Sequence, residues 1–154
     1  MTELASAPRP KRPEFRNINV LKDLPSYRLP TAGLVSILHR ISGFIMFLLL
    51  PFIIWMFDVS VSSEISFAKF TSAFTRGIVC GPSSCFFAGW FIKLVALALI
   101  WAFLHHFIAG LRHLWMDISH EAVNMQAGKA SATVTLVLSV ALTLILGAKL
   151  FGFY

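Results

Sequence analysis

Three apolar segments govern what this chain can fold into. They run from about 33 to 57, 86 to 113 and 132 to 153. Each exceeds the roughly 20 residues that cross about 30 Å of hydrocarbon, with some allowance for tilt. In a chain of 154 residues they leave no room for a large extramembrane catalytic domain. Composition agrees, because 57% of the residues are hydrophobic and only 13% are charged, where a soluble domain has roughly a quarter charged. The expected fold is an all-α integral membrane protein with three transmembrane helices. Residues 1–32 form an N-terminal tail and residues 33–153 the transmembrane domain.

The net charge of +6 would suggest nucleic acid in a soluble chain. Here it is read as a topology signal, and no nucleic-acid partner is expected. Six of the thirteen Lys and Arg residues (Arg9, Lys11, Arg12, Arg16, Lys22, Arg28) lie in the tail. Basic flanks stay in the cytoplasm, so the tail is predicted cytoplasmic and the 58–85 loop and the C-terminus lie on the opposite side. The tail has no apolar periodicity and is expected to lie on a partner or on the membrane surface. It does not read as a cleavable signal peptide, since its basic region and the apolar run after it are too long. Pro51 is expected to kink the first span. Trp55, Trp90, Trp115 and Tyr154 fall near predicted ends, and Lys93 and Lys149 are placed to snorkel outward. The odd span number and the absence of an internal repeat argue against an inverted-repeat transporter. A proton channel is weakened because no carboxylate lies mid-span.

Polar residues inside a span are costly and usually face protein or a functional cavity. Two clusters qualify. In SILHRISG, Ser36, His39, Arg40 and Gly43 follow i, i+3, i+4, i+7 spacing and share one helical stripe. Such a stripe is either a helix end whose Arg snorkels to lipid phosphate or a site for a polar ligand such as a quinone carbonyl or a haem propionate, which suits the planar guanidinium fork. In HFIAGLRHLWMD, His106 precedes His113 by one heptad, about 10 Å along nearly the same face. Ala109 and Gly110 leave a small-residue strip beside His106, as a flat macrocycle would need, and Arg112 and His113 form a cationic rim. A lone membrane histidine also serves as an interhelical hydrogen-bonding group. His105 points about 100° away and is the weaker ligand candidate, and His120 lies beyond the helix. Cys80 and Cys85, in CGPSSC, lack CxxC metal spacing but could pair on an oxidising side of the membrane. The fifteen phenylalanines are read as lipid-facing and packing surface.

Together the two stretches, with RPEF and RLP in the tail, resemble the cytochrome b membrane-anchor subunit of succinate dehydrogenase, respiratory complex II. The resemblance covers essentially the whole chain; a long tail and the two loop cysteines are departures. It implies a haem b with His106 as one axial iron ligand and the other supplied by a second membrane-anchor subunit. It implies that His39, Arg40 and His113 surround the haem propionates and that Ser36 and Arg40 line the ubiquinone site beside an iron–sulfur subunit. Asp117, at the acidic end of the motif, would cap or dock. Succinate oxidation would take place in partner subunits carrying FAD and iron–sulfur clusters, so no catalytic residue is expected here. The setting would be a bacterial inner membrane, with lipids and the flavoprotein subunit as further partners. A fumarate reductase anchor and a haem-free structural anchor are the alternatives.

Overall fold

A computed structural model describes residues 17, 19–23, 26–80 and 85–154. Arg9, Lys11, Arg12, Arg16 and the RPEF element lie outside the described residues, as do the side chains of Cys80, Cys85 and His120. A short helix α1 (Val20–Asp23) precedes α2 (Thr31–Leu48), α3 (Leu50–Val61) and α4 (Glu64–Thr75). A two-stranded hairpin, β1 (Ile78–Cys80) and β2 (Cys85–Phe87), leads into α5 (Gly89–Ile118). A 3-10 turn at His120–Val123 then leads to α6 (Met125–Phe151). Helices α2, α5 and α6 are long and apolar enough to cross a membrane. The protein is a three-span helical bundle.

The first span breaks where proline requires it. Pro51 has no N–H and its ring crowds the carbonyl of Phe47, so the regular ladder stops. Leu49 closes α2 by donating to Ile45 O at 2.9 Å, and the ladder resumes as Ile53 N donates to Leu49 O at 2.9 Å. The interruption at Leu49 divides the segment into α2 and α3 at the expected proline position.

The 58–85 connection is not a loop. Helix α4 opens with a reciprocal cap, Ser66 N to Ser63 Oγ at 3.1 Å and Ser63 N to Ser66 Oγ at 2.8 Å, which satisfies two amides left free at a helix start. Phe67 then stacks on Phe70, which meets Phe74 edge to face. Gly77, at φ +98°, turns the chain into β1, and Gly89 lets the start of α5 press against the carbonyls of Phe74 and Thr75. Antiparallel pairing sets Ile78 opposite Phe87 and Cys80 opposite Cys85.

Helix α5 is central, packed on α2 along one side and α6 along the other. The contacts rest on small residues, as expected where lipid removes the hydrophobic incentive and close backbone approach supplies the attraction. Val35, Ala109 and Ala132 are fully buried together, with Ala32 and Leu136 against them. This cluster brings the start of α2, the end of α5 and the start of α6 to one end of the bundle. At the other end Lys93 Nζ sits 5.5 Å from the ring centroid of Phe151, a cation–π contact in place of free snorkelling. Large side chains such as Phe44, Phe47, Phe103 and Phe107 point outward and are exposed, toward lipid or a partner chain. Hydroxyls within the spans bond back to their own helix, as Thr135 does to Ser131 O and Thr143 to Ser139 O.

Candidate functional site

Where α2 crosses α5, the two histidine motifs meet. The His39 ring enters the gap between His106 and His113, with centroid separations of 4.1 Å to His106 and 5.3 Å to His113. The heptad spacing on α5 leaves a gap that one imidazole fills. The rings are stacked or tilted face to face, so their lone pairs do not converge, and among the described residues no three His, Cys, Asp or Glu side chains are grouped to hold a bare metal ion.

The His106 ring is oriented from its own backbone neighbours on α2. Its Nδ1 lies 3.1 Å from the carbonyl oxygen of His39 and 3.4 Å from Ser42 Oγ. Ser42 Oγ itself donates to that same carbonyl at 2.8 Å. A carbonyl oxygen only accepts, so the network assigns the proton of a neutral His106 to Nδ1. Nε2 is then the unprotonated nitrogen, with its lone pair available. A second-ring-nitrogen hydrogen bond to a backbone carbonyl is the arrangement that fixes a metal-ligating histidine. Space for the ring comes from Gly43: a Cβ there would stand 3.0 Å from His106 Cε1 and 3.3 Å from Nδ1.

His39 Nε2, like His105 Nε2, is buried with no hydrogen-bond partner among the described residues. An unsatisfied buried polar nitrogen costs about 1–3 kcal/mol, so the site is complete only when an acceptor or donor from outside reaches it. The donor set therefore fits a haem: one oriented imidazole lone pair, a glycine cradle beside it, and a polar nitrogen awaiting a partner. At the crossing, His106 is the one imidazole whose Nδ1 is held by a backbone carbonyl of the neighbouring helix.

Several expectations change. Ala109 and Gly110 do not form an open strip beside His106. Ala109 is fully buried against Val35 and Ala132, and Gly110 faces His39, whose Nε2 would be 3.9 Å from an added Cβ. Arg112 is not part of a rim around the histidines, because it turns to α6, donating from Nε to Ser131 Oγ at 3.0 Å and from a terminal nitrogen to Gly128 O at 3.4 Å. His105 is fully buried, with Nδ1 3.2 Å from Ser139 Oγ and its ring stacked on Trp101; it joins α5 to α6. Ser36 is half-buried and Arg40 exposed, one turn apart on the flank of α2 beside the His39–Gly43 line. Neither makes a hydrogen bond among the described residues. Asp117 is exposed and caps nothing in them. Ser42, fully buried, was missed by the stripe. Its signal was the i+3 offset from His39.

Residues 9–146 match the family described as the succinate dehydrogenase/fumarate reductase transmembrane subunit. Proteins named succinate dehydrogenase cytochrome b556 subunit are similar to the chain. The one from Coxiella burnetii is 32% identical over 117 residues, 76% of this chain and 83% of that protein. The one from Paracoccus denitrificans is 31% identical over 108 residues, 70% and 73% of the two chains. The one from Rickettsia felis is 25% identical over 136 residues, 88% and 90%. A three-span bundle whose histidine motifs meet at one helix crossing is thus matched across nearly its whole length, and the chain belongs to the succinate dehydrogenase/fumarate reductase transmembrane subunit family.

Proposed function

We propose that this chain is the haem-bearing membrane anchor of a bacterial succinate dehydrogenase, itself non-catalytic toward succinate. The observation that carries the reading is the hydrogen bond from His106 Nδ1 to the His39 carbonyl, which leaves Nε2 with the lone pair that would hold the haem iron. His39, Arg40 and His113 would hold the haem propionates, with His39 Nε2 and the Arg40 guanidinium available to carboxylate oxygens. When bound, haem b supplies reversible one-electron transfer at a potential set by its ligands and surroundings. The chain holds the iron-facing imidazole in one tautomer, excludes water with the apolar faces of α2 and α5, and presents Ser36 and Arg40 to ubiquinone. Ser36 donates to a quinone oxygen and Arg40 stabilises the negative charge that develops there.

The remaining roles fall to other chains: a second anchor subunit for the opposite iron ligand, an iron–sulfur subunit against the quinone end, and a flavoprotein where FAD accepts electrons from succinate. The relatives' names support the succinate-oxidising direction. Residues 1–32 form the cytoplasmic tail and residues 33–153 the membrane domain. The basic tail supports a cytoplasmic N-terminus in the inner membrane; alkaline phosphatase fused after Tyr154 should be active and fused at Lys22 inactive, and the reverse pattern would invert the topology. The test of the haem site is the reduced-minus-oxidised spectrum of His106→Ala membranes. The low-spin b band should vanish or shift strongly, while His105→Ala keeps it. An unchanged band in His106→Ala would remove the ligand assignment.

A further inference from the structure

On the side of α5 away from His106 and the α2–α5 crossing, a cleft of about 640 Å³ opens between α5 and α6. Its wall is mostly apolar, formed by residues that include Ile108, Leu111, Trp115 and Val134, with Arg112, Ser131 and Thr135 as its polar members. Ile108 is two residues from His106, about 200° around the helix, so the cleft is separate from the α2–α5 crossing. Arg112 is 8% exposed. Two of the five N–H donors that a guanidinium carries go to Ser131 Oγ and Gly128 O. Among the described residues no carboxylate pairs with it; Asp117 and Glu121, the acidic groups at this end, are exposed and unpaired with it. A nearly buried cation beside a hydrocarbon wall is expensive without an anion.

We propose that this cleft binds an anionic phospholipid, with its phosphate on the free N–H groups of Arg112 and an acyl chain along the wall formed by Ile108, Leu111 and Val134. Arg112 lies six residues before the end of α5 at Ile118, about 9 Å in, within reach of a headgroup phosphate if the helix ends at the interface. A guanidinium with a free edge matches two phosphate oxygens. Trp115, 62% exposed at the mouth, has the amphipathic ring that favours this depth. An apolar partner helix would cover the wall but leave the cation unpaired, whereas one phospholipid supplies both the phosphate and the chain. The inference rests on the spanning fold alone, so failure of the haem assignment would leave it intact.

The test uses the purified complex in phosphatidylcholine nanodiscs containing rising fractions of dibrominated phosphatidylglycerol or dibrominated phosphatidylcholine. Bromine quenching of Trp115 is obtained by difference from a Trp115→Phe complex. Brominated phosphatidylglycerol should reach half-quenching at about a tenfold lower mole fraction than brominated phosphatidylcholine, the scale of one charge-assisted hydrogen bond. Arg112→Gln should erase that preference. Val134→Phe, which narrows the cleft and leaves Arg112 untouched, should reduce quenching by phosphatidylglycerol and decides the matter if Arg112→Gln does not assemble. Equal quenching by the two lipids would overturn the proposal, as would no quenching at all, which means that protein fills the cleft. So would a preference that survives either substitution, or one abolished by millimolar inorganic phosphate, which marks a free-anion site.

Discussion

The carbonyl oxygen of His39 receives Ser42 Oγ at 2.8 Å and His106 Nδ1 at 3.1 Å, so a backbone atom on one helix decides which nitrogen of a histidine on another is left with a lone pair. Gly43 sets how close the two helices come at that point. Gly43→Ala places a Cβ 3.0 Å from His106 Cε1, and either the ring or the α2–α5 crossing must move. Overpacking of this kind costs about 1–3 kcal/mol. The predicted outcome is a lower thermal midpoint and a broadened or shifted haem band; an unaltered band and midpoint would show that the cradle has slack. At this scale the sequence was informative about types and less so about directions. The i, i+3, i+4 spacing correctly gathered His39 and Gly43, but it could not say which flank of α2 meets α5. That choice buries Ser42 and leaves Arg40 exposed. The small residues Ala109 and Gly110 were recognised, yet their partners, Val35 and His39, are on another helix, and no periodicity along α5 reveals them.

At the scale of elements, hydropathy found the spans because burial in lipid demands long apolar runs with every backbone group satisfied internally. It failed between them. The 58–85 stretch is rich in Ser and Thr and carries Asp58, Glu64, Lys69 and Arg76, so it read as a loop. Its order comes from local devices instead: the Ser63–Ser66 cap, the Phe67, Phe70, Phe74 ladder at helical spacing, and a glycine turn into the hairpin. Those phenylalanines were legible as a helical face, but length and hydropathy alone outweighed them. Gly77 is the joint, with φ +98° and a would-be Cβ that would collide with Phe87 O. Gly77→Ala adds about 1–3 kcal/mol of backbone strain to a clash that the hairpin cannot absorb. Faster proteolysis of the 64–87 region in intact complex is expected, with the haem spectrum unchanged, because this cap lies at the opposite end from the histidines. Wild-type protease resistance in that variant would mean that the turn tolerates a side chain.

As a whole molecule the bundle is incomplete by its own chemistry. Its outer faces are apolar, it holds one imidazole oriented by a backbone carbonyl, which under the proposed function is an iron ligand, and His39 Nε2 has no partner among the described residues. Ser36 and Arg40 stand on the flank of α2 with no bond within the described residues, where a neighbouring subunit and quinone complete the site under the proposed function. Ser36→Ala and Arg40→Leu membranes should therefore keep succinate oxidation with an artificial acceptor that bypasses the membrane. Succinate-to-quinone turnover should fall roughly 10- to 150-fold, as for a lost charge-assisted hydrogen bond of about 1.5–3 kcal/mol. Equal loss of both activities would make these residues assembly determinants. No loss of either at unchanged haem content would remove them from the quinone site. None of this could be read from α2 alone, since the stripe is equally a snorkelling helix end until its surroundings are known.

Under the proposed function His106 Nε2 is an iron ligand held by the His39 carbonyl, and chemical rescue of His106→Gly tests that assignment most directly. Without the ring, the reduced complex should lose its low-spin b band. Millimolar imidazole, occupying the space next to Gly43, should restore that band. A normal band in His106→Gly before imidazole is added would contradict the account, as would an assembled variant whose lost band imidazole does not restore.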